Sequence, residues 1–573
     1  VIKQALTLLL ISSGCCHAAF AGSLAGTFFN VASSGPASPI AMIICLNGLG
    51  PLSCQNYTAP ATNLTITSNI PNHTYPNAGI KITTPGYTLA GCTMNSNGYC
   101  LFSVSNTQAA TIQAAPSTCQ AGTVQFTPTV LQVNNPTGGT PTAPQQVTVS
   151  MSMCNSLGQP IFPTAANPIH VDVYGAPTGA ITPTSTTSTT GSFTFTYSGQ
   201  SFPNNISINA WMSDSTNNGA ALGVTQILKQ NTPTSCTLGG NFYDVPLAGT
   251  LPGALQVTAD VGYLQGSVTN NYKTYTIDTG SLGVVVPLSD LPTNANVIGP
   301  GAVGVKYYDS SGNTYAGNYY LAPVRIQTLS GTVQTQTIMV LAIKQAYCSG
   351  PTTKSCYTGS GPTPNLHYIG VGFNRDGTTG GDLFTSPVYN AFLHITNANN
   401  GTDVTPGYYL TPNDNAAPTG LRLGISSNTG YTPVNLSPNP AVPGDFLPQS
   451  GCFSFPPASP NQFCGTALLD VGIDYMFIDL PRAQWPAGTH NSSDQVPAGV
   501  SMQIVMGGTT LAAPLQYPFT TVLPPTTPPT DGTPTQVQWI DNPTIFVNTG
   551  RRPLYIYNYL YNGQCGQVAF KHL

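Results

Sequence analysis

The sequence predicts an all-β protein in which two N-terminal β-sandwich-like modules precede a larger β domain. Three observations carry that reading. The 52 prolines and 59 glycines punctuate short apolar runs instead of gathering in low-complexity tracts, which is how many-stranded β proteins read. Apolar and polar residues alternate at a period of two in several runs, the mark of a half-buried antiparallel strand. No run reaches the roughly 18 apolar residues of a membrane-spanning helix, so no transmembrane segment is expected. At 573 residues the chain is too long for one core, and length alone suggests about three to four domains.

The first 21 residues read as an export signal peptide. Lys3 precedes the apolar stretch from Ala5 to Ile11, and Ala19-Phe20-Ala21 before Gly22 fits a small-residue cleavage site. Cys15 after Ser13-Gly14 leaves a lipoprotein anchor open, although Ser12 is a poor fit to such a signal. The expected location is secreted or cell-surface, with a periplasmic or outer-surface lipoprotein as the variant. Cleavage leaves twelve cysteines, and an even count in an exported chain points to disulfides. Cys45/Cys54, Cys92/Cys100, Cys348/Cys356 and Cys452/Cys464 are near neighbours; sequence does not fix connectivity, and local pairing is the simplest scheme.

Residues 22–116 form the first module, small and stapled by its own cysteines. Residues 117–232 read as an immunoglobulin-like sandwich, in which Val147, Val149, Met151 and Met153 alternate with polar partners, as do Ile169, Val171 and Val173 and then Phe193, Phe195 and Tyr197. Cys119 and Cys154 are placed to join its strands. Neither module carries recognisable chemistry. Gln230 to Thr234 reads as a linker, and the third domain spans 236–573.

Charge excludes some functions. Only 6% of residues are charged, with 14 Lys+Arg against 18 Asp+Glu, so no basic patch exists to hold a phosphate backbone and nucleic acid is excluded as a partner. The seven histidines are scattered, no cysteine pair has zinc-ligand spacing, and GxSxG, HExxH and P-loop motifs are absent. No metal or organic cofactor is expected.

The chemistry lies in two similar turns. Asp278-Thr279-Gly280-Ser281 stands between Tyr275-Thr276-Ile277 and Val284-Val285-Val286-Pro287. Asp470-Val471-Gly472 stands between Ala467-Leu468-Leu469 and Tyr475-Met476-Phe477-Ile478, 192 residues further on. One such turn is ordinary. Two that face each other would bring two carboxylates together, and adjacent carboxylates share a proton, leaving one acid and one base. That pair can activate water against a peptide carbonyl.

On these residues, 236–573 resembles the two-lobed, pepsin-like aspartic peptidase family, and further landmarks fall in order. Lys306-Tyr307-Tyr308 and the hairpin through Ser310-Ser311-Gly312-Asn313 look like the family's flap, with Tyr308 as flap tyrosine and Tyr307 as second choice. His367 to Phe373 resembles the strand that crosses behind the first catalytic loop. Thr419 to Gly424 resembles the opening of the second lobe, and Tyr555 to Tyr561 with Gly566 to Phe570 resembles the closing hairpin. The chain also resembles secreted bacterial proteins with paired Asp-x-Gly turns. The resemblance implies a bilobal pepsin-like fold, Asp278 and Asp470 as catalytic dyad, Thr279, Gly280, Ser281 and Gly472 as supports, and a polypeptide substrate or protein ligand. It also implies a shared interlobe sheet, and with it a Cys236–Cys565 bridge.

Three departures qualify the expectation. Val471 and Ile473 stand where the family has hydroxyls, so Asp470 should be poorer in donors and the more readily protonated carboxyl. Val285 replaces a tryptophan that would bond the flap tyrosine. The second crossing element is blurred at Val547-Asn548-Thr549-Gly550. The implied function is an exported aspartic endopeptidase; the alternative is a surface or secreted binding protein that keeps the fold without turnover.

Overall fold

A computed structural model describes Gly22 to Leu573 apart from a set of connecting segments, the longest being 134–144, 230–239 and 349–365, with 309–311 also among them. The signal-peptide and Cys15 expectations, and Cys119, Cys236 and Cys356, lie outside the described residues. The fold is all-β and multi-module: the described residues form strands and short 3₁₀ turns, with no α-helix among them. The chain forms two compact units, one of residues 1–121 with 157–161 and one of 122–156 with 162–573.

In the first unit two sheets enclose a small core of Phe29, Val31, Ile44, Leu64, Ile66, Ile80, Val104 and Ile112. Cys45–Cys54 and Cys92–Cys100 staple it. Cys452–Cys464 closes in the second unit, so the three near-neighbour pairs whose two cysteines both lie among the described residues all form; Cys154 and Cys565 are also disulfide-bonded.

The second unit begins with a two-sheet module. One sheet runs Val124–Thr127, Gln145–Cys154, Ser192–Tyr197, Ile181–Thr182, and the other Leu131–Val133, Ala220–Lys229, Ser207–Ser213, Ile169–Tyr174, Ser185–Ser188. The period-two residues behave as their pattern demands: Ile169, Val171 and Val173 are buried while His170, Asp172 and Tyr174 face the other way. That second face docks on the following domain. Asn209 Nδ2 donates to the Thr337 carbonyl at 2.5 Å, and Leu222 joins an apolar cluster with Leu282, Val285, Tyr319 and Leu341. The module is therefore built into the domain that follows it.

That domain holds three sheets. A ten-stranded sheet runs from Val303–Tyr308 at one edge through Asn313–Ala322, Ile338–Cys348, Leu282–Pro287, Tyr368–Val371 and Lys273–Asp278. A seven-stranded sheet contains Gln449–Phe455, Ser459–Leu468, Phe546–Asn548, Met476–Leu480 and Val537–Asp541 as neighbours. A six-stranded sheet collects Tyr243–Val245, Gly420–Leu423, Gly407–Thr411, Tyr557–Asn562, Gln567–His572 and Thr432–Asn435, drawn from the domain's start, middle and end. One continuous apolar core runs through all three, from Val257 and Ile277 to Ile478, Trp539 and Tyr559.

A buried histidine makes this fold sensitive to acid. His394 is 3% exposed; its Nε2 bonds the Pro387 carbonyl at 3.1 Å and its Nδ1 meets Gln336 Nε2 at 2.8 Å. A second ring proton would point at an amide donor, and burial pushes the imidazole down to about 4. The unfolded chain therefore binds a proton near pH 6.5 that the folded chain refuses. Stability is fully present above that pH and declines as pH falls to about 4, by about 3 kcal/mol. His394→Gln is expected to flatten the pH dependence of chemical unfolding between pH 6.5 and 4; an unchanged slope would contradict the assignment.

Candidate active site

Each aspartate sits where one strand ends and an adjacent strand begins, with a third strand inserted between them. Lys273–Asp278 pairs parallel with Tyr368–Val371, which pairs antiparallel with Leu282–Pro287. In the other lobe Ser459–Leu468 pairs parallel with Phe546–Asn548, which pairs antiparallel with Met476–Leu480. The inserted strand forces the turn outward, so both aspartate loops point into one cleft.

The two loops interlock. Thr279 Oγ1 donates to the Leu469 carbonyl at 2.6 Å and accepts from the Val471 N–H at 2.9 Å. A Cβ on Gly280 would lie 2.5 Å from Asp470 Oδ2, and one on Gly472 would lie 2.5 Å from Asp278 Oδ1. Each glycine thus lets its backbone meet the opposite carboxylate. Close approach, and not a left-handed turn, is what requires glycine at these two positions. Gly280→Ala is expected to keep the fold and displace Asp470, with a loss of about 10²-fold in any cleavage activity, the usual cost of an ångström of misplacement; wild-type turnover in that variant would show that the loops have slack.

Asp278 and Asp470 are both buried, at 5% and 6% exposure. Asp278 Oδ1 accepts from Gly280 N at 2.7 Å and Oδ2 from Ser281 Oγ at 2.6 Å. Asp470 Oδ1 accepts from Gly472 N at 2.9 Å. The expectation that its other oxygen is poor in donors is corrected by the structure: Asn548 Nδ2 donates to Oδ2 at 2.8 Å. Asp470 is nevertheless pushed up to about 7, by burial first and the neighbouring Asp278 charge second, with Asn548 and Gly472 pulling the other way. Its ready protonation follows from desolvation and repulsion, and not from missing donors.

Val471 is fully buried in the core, whereas Ile473 is half-buried and lines the cleft. Arg551, which the sequence reading misses, clamps the second loop from beneath: Nη2 donates to the Gly472 carbonyl at 2.9 Å and Nε to that of Ile473 at 3.1 Å.

Tyr308 ends the strand at the edge of the ten-stranded sheet and meets Tyr315 edge-to-face and Tyr368 at a tilt, at 5.7 and 5.4 Å between ring centres. Val285 offers the Tyr308 hydroxyl no bond, and burial first, then the neighbouring Asp278 charge, raises that hydroxyl well above the usual tyrosine range. Tyr307 lines the same cleft. The cavity measures about 480 Å³. Its walls carry aromatic rings, including Tyr475, Phe477 and Phe546, and a buried ion pair, Lys306 Nζ to Asp382 Oδ2 at 2.8 Å. Among the described residues no group of three His, Cys, Asp or Glu side chains is placed to hold a metal ion.

Two buried carboxyls on interlocked loops, one held protonated into the neutral range, can act as general acid and general base toward one water and one carbonyl. No family model and no curated protein matches the chain. Among solved structures it is similar to basic 7S globulin from soybean, at 10% sequence identity and a TM-score of 0.36, over 58% of this chain and 95% of that one.

Proposed function

We propose that the chain is an exported, pepsin-like aspartic endopeptidase. The observation that supports this reading best is the reciprocal approach of the two loops, each glycine against the other loop's carboxylate. In the proposed reaction the Asp278 carboxylate takes a proton from water as its oxygen attacks the peptide carbonyl. Asp470 gives its proton to the carbonyl oxygen, and a neutral gem-diol results. Asp278 then gives its proton to the amide nitrogen while Asp470 takes one back from a gem-diol hydroxyl; the C–N bond breaks to acid and amine, and the pair again holds one proton. Tyr308 closes the cleft from the first lobe, and the aromatic walls receive apolar side chains of a polypeptide.

Export is supported by the three disulfides seen among the described residues, which persist in oxidising compartments. Among those residues no helix is long and apolar enough to cross a membrane. A non-catalytic binding role has one observation in its favour: Val471 has no hydroxyl with which to return the bond that Thr279 makes. The test is cleavage of an unfolded protein by the chain between pH 4 and 7, blocked by a peptide carrying a hydroxyl in place of the scissile amide. No cleavage, with that peptide still bound in the cleft, would favour the binding role.

A further inference from the structure

The two halves of the cleft are related by strand register, and the register shows what Asn548 replaces. In the first lobe Tyr368 pairs with Thr276, two residues before Asp278, and with Val285, seven after it. In the second lobe Asn548 pairs with Leu468 and Phe477, again two before and seven after the aspartate. Asn548 therefore corresponds to Tyr368, Gly550 to Gly370, and Ile473 to Ser281. The element that looks blurred in sequence is in the same register: Asn548-Thr549-Gly550 is the counterpart of Tyr368-Ile369-Gly370, with polar residues where the first lobe has Tyr and Ile.

With that alignment the two lobes show a complementary exchange. In the first, the aspartate's outer oxygen is served from its own loop, by Ser281, and the crossing strand presents an aromatic ring. In the second, the loop presents the aliphatic Ile473 and the crossing strand presents an amide. Asn548 is held to do this. It is 8% exposed, and its Oδ1 accepts from Gly550 N at 3.0 Å, which fixes the amide orientation and turns Nδ2 toward Asp470. Thr549 anchors the same strand, its N–H and Oγ1 both donating to the Leu468 carbonyl at 2.9 and 3.1 Å.

We infer that Asn548 is the positioning residue of the second carboxyl, supplying from the crossing strand the hydrogen bond that a hydroxyl at 473 would otherwise supply from the loop. This rests on the peptidase reading for its consequence in catalysis, but the hydrogen bond and its effect on Asp470 stand apart from turnover. A donor to the ionised form holds that form down in proton affinity, so its loss must make Asp470 harder to ionise. The exchange also makes the donor relocatable: Ser281 shows that a serine three residues after the aspartate reaches it.

The test compares wild type, Asn548→Ala, Ile473→Ser and the double variant in the full chain. The carboxyl ¹³C titration of selectively labelled aspartate is followed by NMR, beside the pH profile of cleavage. Asn548→Ala is expected to move the upper titration, and the alkaline limb of activity, upward by about one pH unit, as loss of one bond to a charged group implies. The double variant is expected to return both toward wild type. Should the alanine variant fail to fold, Asn548→Leu, similar in size and without a donor, serves in its place. An unmoved titration in the single variant, or a double variant indistinguishable from it, overturns the inference. If titrations shift and revert but no variant cleaves, the positioning role holds and the peptidase reading fails.

Discussion

Asn in place of Asp278 or of Asp470 is expected to lower kcat/KM by about 10²- to 10⁴-fold, the range that general acid–base groups supply. The double variant is expected to be scarcely worse than either single one, because the two carboxyls share one proton and act as a unit. Stability separates lost chemistry from lost fold. Asp470 has a folded-state pKa raised to about 7, so its contribution to stability is fully present below about 4 and is lost as pH rises through 7. An amide in its place needs no proton. Asp470→Asn should therefore gain on wild type between pH 4 and pH 8, by up to about 4 kcal/mol. A variant that is inactive and more stable at pH 8 fits the dyad. A variant that is inactive and less stable at every pH has merely been damaged, and undiminished cleavage in either single variant removes the dyad altogether.

Leu222→Ala is expected to destabilise the second unit by about 2–5 kcal/mol, the range for a buried leucine in a core that cannot collapse around the space. Leu222 is 1% exposed. It belongs to the sandwich by sequence, yet it shares a cluster with Leu282 and Val285 on the strand that leaves the Asp278 turn and with Tyr315, and Tyr308, the proposed flap tyrosine, packs against the same cluster. The consequence should reach the site: a raised KM with a smaller change in kcat, as the flap loses its backing. For the same reason residues 236–573 expressed alone should melt well below 122–573. Equal melting temperatures for those two fragments, or a Leu222→Ala variant as stable as wild type, would show that the sandwich is only tethered.

The parts of this molecule that sequence makes legible are those written in local pattern. Strands such as Ile169–Tyr174 announce themselves by alternation because one face is buried. The two aspartate turns stand out because apolar strands must flank them, and near-neighbour cysteines pair because hairpins bring them together. What is not legible arises across long separations. Asn548 lies 78 residues from the carboxyl it serves, and Leu222 lies in another module from the cluster it completes. The role of Gly280 and Gly472 is hidden for a related reason, since the crowding they relieve comes from the opposite lobe. The place of Asn548 was findable in principle: counting back from Gly550, as from Gly370, places a polar residue opposite a loop that has lost its hydroxyl.

The buried titrating groups frame a working range. Protonation of His394 undermines the fold toward pH 4, and in the proposed mechanism loss of the proton on Asp470 ends the acid–base pairing near pH 7. The most direct measurement of the central claim is the aspartate ¹³C titration of the folded chain, wild type against Asp278→Asn. Two coupled carboxyls give the pair an upper apparent pKa, a property of the pair and not of one residue. The account predicts one carboxyl that ionises near pH 7 in wild type and moves down once the charge at 278 is removed. Ionisation of every aspartate below about pH 5 in wild type, or an upper titration indifferent to Asp278→Asn, would contradict it.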